Sequence, residues 1–148
     1  MIGLLQRVRR ADVEVDGATI AEIGPGIAVL VGVERGDSDR EAGRLLERLL
    51  AYRVFPDSEG RMNLSLRDIG GELLLVPQFT LAADTSQGNR PGFSKAAPPE
   101  QGEALFAALV RAAEASGVKT ATGEFGAMMD VTLTNEGPVT FWLRVPPP

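Results

Sequence analysis

The stretch Ile27-Ala28-Val29-Leu30-Val31-Gly32-Val33 carries no polar side chain and follows the turn sequence Gly24-Pro25-Gly26. A run that short, rich in β-branched residues, reads as a strand covered on both faces. Such a strand needs neighbours along its edges and apolar layers above and below. The rest of the chain offers both. Leu4 to Val15 alternates apolar and polar positions, Asp16-Gly17 is a hairpin signal, and Ala18 to Ile23 returns as a second strand. Glu72 to Val76 is another short apolar strand, running into Pro77, and Lys119–Glu124, Ala127–Thr134 and Val139–Val145 read as strands near the end. Asn135-Glu136-Gly137-Pro138 then reads as a turn joining the last two.

Two segments have helical spacing. Ser38 or Asp39 caps the first, whose Ala42, Leu45, Leu46, Leu49 and Leu50 form one apolar stripe. The second runs from Pro99 to Ala115, with Pro99 suited to its first turn, Gly117 to its stop, and Ala104, Leu105, Ala108 and Leu109 facing inward. From Ala82 to Pro99 the chain is rich in Gly, Pro, Ser and Ala and reads as a long loop, a place where function often resides. At 148 residues the expectation is one α+β domain over residues 1–145, an antiparallel-rich, barrel-like sheet packed with two main helices. Residues 146–148 read as an extended Pro tail.

No apolar run approaches the roughly 20 residues of a membrane span, and Arg7 follows the short apolar start too closely for a secretion signal. With no cysteine to build a disulfide framework, a cytoplasmic location is the expectation, and a membrane is not expected as a partner. The chain also lacks His, which excludes Ser-His-Asp and Cys-His nucleophile systems and zinc sites rich in nitrogen or sulfur. Catalysis must use carboxylates, hydroxyls, amides, Lys, Arg, Tyr, main-chain groups or the substrate itself. Neither a metal nor a cofactor is expected. Asp37-Ser38-Asp39 lacks the spacing of an oxygen-ligand loop and reads better as a helix cap. The net charge of −5 argues against a broad surface that grips nucleic acid indiscriminately, and DNA is not expected as a partner. Yet thirteen of the fifteen basic residues are Arg, and they are unevenly spread: Arg7, Arg9 and Arg10 open the chain, and Arg90 and Lys95 lie in the long loop. Solvated surface is the plain reading of any one of them.

Two short segments could carry chemistry. In Gln78-Phe79-Thr80-Leu81, an amide and a hydroxyl two residues apart share a face of an extended strand. The same pattern also suits a strand end whose polar groups satisfy the loop backbone. In Asn135-Glu136-Gly137-Pro138-Val139-Thr140, Gly permits unusual dihedrals and Pro fixes a turn, and a plain hairpin turn accounts for it. The residues alone leave both readings open.

In this order and at this distance, the two segments resemble the hallmark motifs of the D-aminoacyl-tRNA deacylase family, Ser-Gln-Phe-Thr-Leu and Asn-x-Gly-Pro-x-Thr. The likeness extends over roughly residues 1–145, including Gln6-Arg7-Val8, Val29 to Val33, Ala82-Ala83-Asp84-Thr85, Arg90 to Lys95 and Val139-Thr140-Phe141-Trp142. It implies hydrolysis of the ester of D-aminoacyl-tRNA, and of mischarged glycyl-tRNA, by a homodimer whose active sites lie at the subunit interface. It implies that Gly137 and Pro138, joined by a cis bond, project into the partner's pocket as a chiral filter braced by Arg7. Gln78, Phe79 and Thr80 then line the pocket for the aminoacylated 3′ end of tRNA, with Gln78 and Thr80 as the catalytic candidates. One departure stands out. Pro77 replaces the family's Ser, removing a hydroxyl and a backbone N–H, which speaks against a serine nucleophile there. A non-catalytic RNA-end or nucleotide-binding dimer, in which Pro77 marks lost activity, and a purely structural dimer are the competing readings.

Overall fold

The computed structural model describes every residue from Met1 to Pro148. Strand β1 (Ile2–Val15) turns at Asp16-Gly17 into β2 (Ala18–Ile23), and β3 (Gly26–Gly32) follows. Asp16 and Gly17 have φ of 50° and 77°, the backbone a two-residue hairpin needs to match the twist of its strands. Next come helix α1 (Asp39–Ala51), a small hairpin of β4 (Phe55–Pro56) and β5 (Met62–Leu64), a single-turn helix α2 (Leu66–Ile69), and β6 (Glu72–Pro77). A 3-10 turn (Phe79–Ala82) enters the long loop, and α3 (Pro99–Ala115), β7 (Thr120–Thr122) and β8 (Asp130–Arg144) complete the chain.

The main sheet runs β2-β1-β3-β6-β7, with β8 also paired to β1. The first half of β1 lies between β3 and β8, and its second half between β2 and β8. Strand β2 packs back against β6 and β7, where the Glu72 carboxylate accepts a hydrogen bond from the Gly24 N–H at 2.7 Å. The sheet is therefore a nearly closed, barrel-like one. All partners of β1 are antiparallel, whereas β3, β6 and β7 run parallel. Parallel neighbours require crossover connections, and α1 and α3 are those crossovers. Both pack on the same outer face of the sheet, and against each other.

The apolar run that opened the sequence reading is buried on both faces, and its alternate residues belong to different cores. Ile27, Val29 and Val31 join Leu5, Leu73 and Leu75 beneath Leu45 and Leu49 of α1 and Leu105 and Leu109 of α3. Ala28 faces the interior of the curled sheet with Val8, Val13, Ile23, Leu74 and Val76. Gly26 begins β3 because a Cβ there would sit 1.9 Å from the Glu72 carbonyl oxygen. Ser38 is the cap of α1: its N–H donates to Glu41 Oε2 at 2.8 Å in a capping box.

The fold corrects the reading of the C-terminal region. Residues 130–144 form one continuous strand, not two strands joined by a hairpin. Both halves pair with β1 in the same antiparallel sense, so the chain never reverses. Between Asn135, opposite Val8, and Thr140, opposite Gln6, β8 advances five residues while β1 advances two. Glu136-Gly137-Pro138-Val139 is thus a wide bulge. The β4–β5 hairpin and α2 were not anticipated, because two- to four-residue elements leave no periodicity to read.

The chain ends are tied by a buried charge cluster. The Met1 ammonium is fully buried and donates to Asp37 Oδ1 at 2.8 Å, the Val145 carbonyl at 2.6 Å and Glu34 Oε2 at 3.3 Å. Arg144 grips Glu34 through Nε at 2.9 Å and Nη2 at 3.0 Å. Burial alone would raise the Glu34 pKa, but the bonds from Arg144 and the ammonium outweigh it and hold the carboxyl below its ordinary value. A depressed carboxyl adds stability above its unfolded pKa and loses it as pH falls through the folded one. Glu34→Gln is therefore expected to lose about 1–3 kcal/mol at neutral pH, and to unfold with a weaker dependence on pH on the acid side. Urea denaturation followed from neutral pH downward checks both.

Candidate active site

Strand β6 carries its chain out of the core and stops at Pro77, which is paired across from Val31 of β3. Gln78 N–H then donates to the Val31 carbonyl at 2.7 Å, the last rung on that side. On the other side the ladder ends when Gly123 N–H donates to the Leu75 carbonyl at 2.8 Å. Pro77 has no N–H to continue it. Past this point the chain from Phe125 to Met129 and the end of β6 both line a cavity of about 850 Å³. Gln78 and Phe79 line it with Pro77 and Val76, and Phe93, Phe106, Phe125, Met128 and Met129 make most of the remaining wall apolar.

Gln78 and Thr80 do not share a strand face as the alternation suggested. Gln78 leaves the strand with φ −143° and ψ 79°, and Phe79–Ala82 is a 3-10 turn, closed by the Leu81 N–H bond to the Gln78 carbonyl at 3.2 Å. The turn nevertheless brings the two polar groups together, because Gln78 Nε2 donates to Thr80 Oγ1. Thr80 is exposed. The N–H groups of Phe79 and Thr80, the first two of the turn, have no partner within it. Phe79 is 61 % exposed and rests on Phe93, with ring centroids 5.3 Å apart and planes inclined at 45°.

The second sequence cluster forms elsewhere. Arg7 is a buried residue of β1 whose Nη1 donates to the Val54 carbonyl at 2.6 Å and whose Nε donates to the Glu136 carbonyl at 3.2 Å. It thereby fixes the root of the β8 bulge. Within the bulge, Asn135 acts as a staple: Oδ1 accepts from Val139 N–H at 3.0 Å and Nδ2 donates to Thr140 Oγ1 at 2.9 Å. The Gly137-Pro138 peptide bond is cis. Gly137 has φ +129°, and a Cβ there would lie 2.8 Å from Val139 Cγ2 and 3.3 Å from Arg7 Nη2, so no other residue fits without displacing its neighbours. Both Gly137 and Pro138 are exposed, and neither lines the cavity of their own chain.

The structure thus unites Gln78, Phe79 and Thr80 at one place and Arg7, Gly137 and Pro138 at another. Reasoning from the two motifs missed Phe125, Met128 and Met129, which enter the cavity from a segment with no distinctive pattern. Asn135 is a half-exception, since it stood in the motif but its bracing bonds could not be inferred from spacing. These residues belong to loops, a strand end, a bulge and the strand beside it, all attached to the same sheet.

A curled sheet with a largely apolar cleft at the end of a buried parallel strand places the chain in the class of single-domain, barrel-like α+β proteins. Within that class the chain belongs to the D-Tyr-tRNA(Tyr) deacylase family, whose model matches residues 4–144. It is 62 % identical, over 100 % of its length and 99 % of the relative's, to the D-aminoacyl-tRNA deacylase of Thioalkalivibrio sulfidiphilus. Among solved structures it is similar to the c-Myc DNA unwinding element binding protein, with a TM-score of 0.91 and 37 % identity covering 99 % of both chains. A probable eukaryotic D-amino acid tRNA deacylase shares the fold, with a TM-score of 0.80 at 19 % identity over 96 % of this chain and 97 % of that one.

The geometry around Arg7 makes a direct prediction. Lys cannot span both the Val54 and Glu136 carbonyls, because its single ammonium lacks the planar fork. Arg7→Lys is expected to cost about 1–3 kcal/mol of stability and to raise amide hydrogen exchange selectively over residues 135–139. Thermal unfolding and exchange mass spectrometry together read it.

Proposed function

We propose that the protein hydrolyses the ester joining a D-amino acid to the 3′ end of tRNA, releasing free D-amino acid and tRNA. The observation that carries this reading is the separation of the two clusters. Gly137 and Pro138 stand exposed on β8, outside the cavity that Gln78 and Phe79 line, so a second copy of the chain is needed to bring the bulge of one to the cavity of the other. Exposed Phe79, Trp142, Met128 and Val131 supply apolar surface for such an association.

In this reading the main chain of Gly137-Pro138 from one subunit accepts the amino group of the substrate and leaves no space for an L side chain. Arg7 holds that filter in place through the Glu136 carbonyl. Phe79 lines the site of the terminal adenosine. Water attacks the ester carbonyl, and the unpaired N–H groups of Phe79 and Thr80 stabilise the oxyanion. The proton lost by water reaches the departing ribose oxygen, with the neighbouring 2′-hydroxyl assisting. Gln78 and Thr80, bonded to each other, position the water and the carbonyl. An aminoacyl ester is already activated, so positioning and oxyanion stabilisation suffice without His, Cys, metal or cofactor. A 10⁴-fold preference for the D form requires roughly 5–6 kcal/mol of differential transition-state binding. Glycyl-tRNA, with no side chain to exclude, passes the same filter.

Release of amino acid from D-tyrosyl-tRNA but not from L-tyrosyl-tRNA is the expected result of the simplest assay. Pro77 favours one competing reading, a dimer that binds RNA ends without acting on them, and binding of the D form without release would establish it instead. Gly137→Ala is expected to lose about 10²-fold in rate, since its Cβ displaces Val139 and Arg7 and with them the filter. Thr80→Ser is expected to retain most activity without accumulating an acyl-enzyme. If Thr80→Val abolished hydrolysis and Thr80→Ser trapped a covalent acyl group, Thr80 would be the nucleophile and not a positioning group. Analytical ultracentrifugation alongside the assay checks the assembly: activity is expected only in the dimeric species, and an active monomer would end the cross-subunit reading.

A further inference from the structure

One feature at the mouth of the cavity lies outside both motif clusters. After β3, Glu34 pairs with Ala96 in an antiparallel bridge, and Arg35 N–H donates to the Lys95 carbonyl at 2.9 Å. This register sets Arg35 directly opposite Lys95. Two cations facing each other across an antiparallel pair destabilise it, and both residues are exposed without an ion-pair partner. The chain has acids to spare, at 20 acidic to 15 basic residues, yet none closes on this pair. Asp84, held below its ordinary pKa chiefly by hydrogen bonds from Ser86 and also by the Lys95 charge, does not come within ion-pair distance of Lys95. Arg35 is also pre-aimed. Its Nε donates to the Ser94 carbonyl at 2.8 Å, which leaves both terminal nitrogens of the guanidinium without a protein acceptor. Arg35 lines the cavity beside Phe93, and exposed Arg90 belongs to the same loop.

We propose that Arg35 and Lys95 form a phosphate clamp at the cavity mouth, docking the backbone of the single-stranded 3′ segment of an RNA whose last nucleoside enters the cavity. This rests on the reading that the cavity receives the 3′ end of tRNA, and adds where the strand leading to it is held. A guanidinium with a free fork and a neighbouring ammonium are the donors that non-bridging phosphate oxygens select. Exposed Phe79 and Phe93 beside them offer faces on which unpaired bases stack. The location also accounts for how a protein of net charge −5 holds RNA: a local pair of cations at the entrance meets the strand, while the net charge disfavours indiscriminate contact.

The test is direct binding, independent of catalysis. A fluorescein-labelled, uncharged RNA hairpin with a single-stranded 3′ ACCA end is titrated by anisotropy across a range of salt concentrations against the full-length protein. The substitutions are Arg35→Gln and Lys95→Gln, singly and together; Gln at 35 keeps a donor for the Ser94 carbonyl, so loss of charge is separated from loss of the loop contact. Circular dichroism confirms that each variant is folded. The double variant is expected to bind about tenfold more weakly, with a salt slope reduced by about 1–1.5. Arg61→Gln, which removes the same charge at the tip of the β4–β5 hairpin, is expected to bind as the original chain does. Equal weakening by Arg61→Gln, or unchanged affinity and slope in the double variant, would overturn the clamp. Failure of the hydrolytic reading looks different: the original chain would bind this RNA with Arg35- and Lys95-dependent affinity, yet release nothing from D-tyrosyl-tRNA.

Discussion

Strand β1 is hydrogen-bonded on both edges for nearly its whole length, and the rest of the architecture follows from how it shares those edges. One edge belongs to β8 throughout. The other is given first to β3 and then to β2, which obliges the sheet to curl around the end of the β1–β2 hairpin. Curling creates an interior that small and branched residues fill, and leaves an outer face for the two crossover helices. Two register shifts interrupt the β1–β8 ladder on either side of Val8, and the bulge of β8 is extruded at the first, between Gln6 and Val8. Arg7 lies at that position and converts a break in the ladder into a fixed projection. A site built in this way inherits the rigidity of the longest ladder in the molecule.

Most of the framework was legible because its signals are local. The double-sided burial of Ile27–Val31, the Asp-Gly hairpin, the stripe of α1 and the Pro-to-Gly span of α3 each follow from side-chain periodicity or from a single backbone preference. What failed was whatever depends on a partner distant in sequence. Asn-Glu-Gly-Pro has the composition of a turn, and only its pairing with Gln6 and Val8 shows that the strand continues through it. The extended geometry assumed for Gln78 and Thr80 failed for a similar reason, since the strand ends when its second neighbour, β7, runs out at Thr122. The motif residues and the roles expected of them came from likeness to a family, while the missing His and Cys only excluded other chemistries. Phe125, Met128 and Met129 were not readable at all, because an apolar cavity wall in an irregular segment looks like any other buried patch.

The absence of His and Cys gives the site its character. Several polar side chains of the two clusters and the cavity rim hold backbone in place, as Asn135 does for Val139, Arg7 for Glu136, and Arg35 for Ser94. In the proposed reaction the groups that meet the aminoacyl ester are chiefly main-chain donors and acceptors with fixed directions. Selectivity that rests on such groups is set by shape, and it does not titrate over the range in which a catalytic His would.

The chain has one tryptophan, Trp142, on β8 two residues beyond Thr140, and it is 56 % exposed. Its indole therefore reports on the polarity around the outer edge of the bulge-bearing strand with no competing tryptophan signal. Whatever covers that edge, another subunit or a bound strand of RNA, has a built-in optical gauge: emission shifts toward the blue as water leaves.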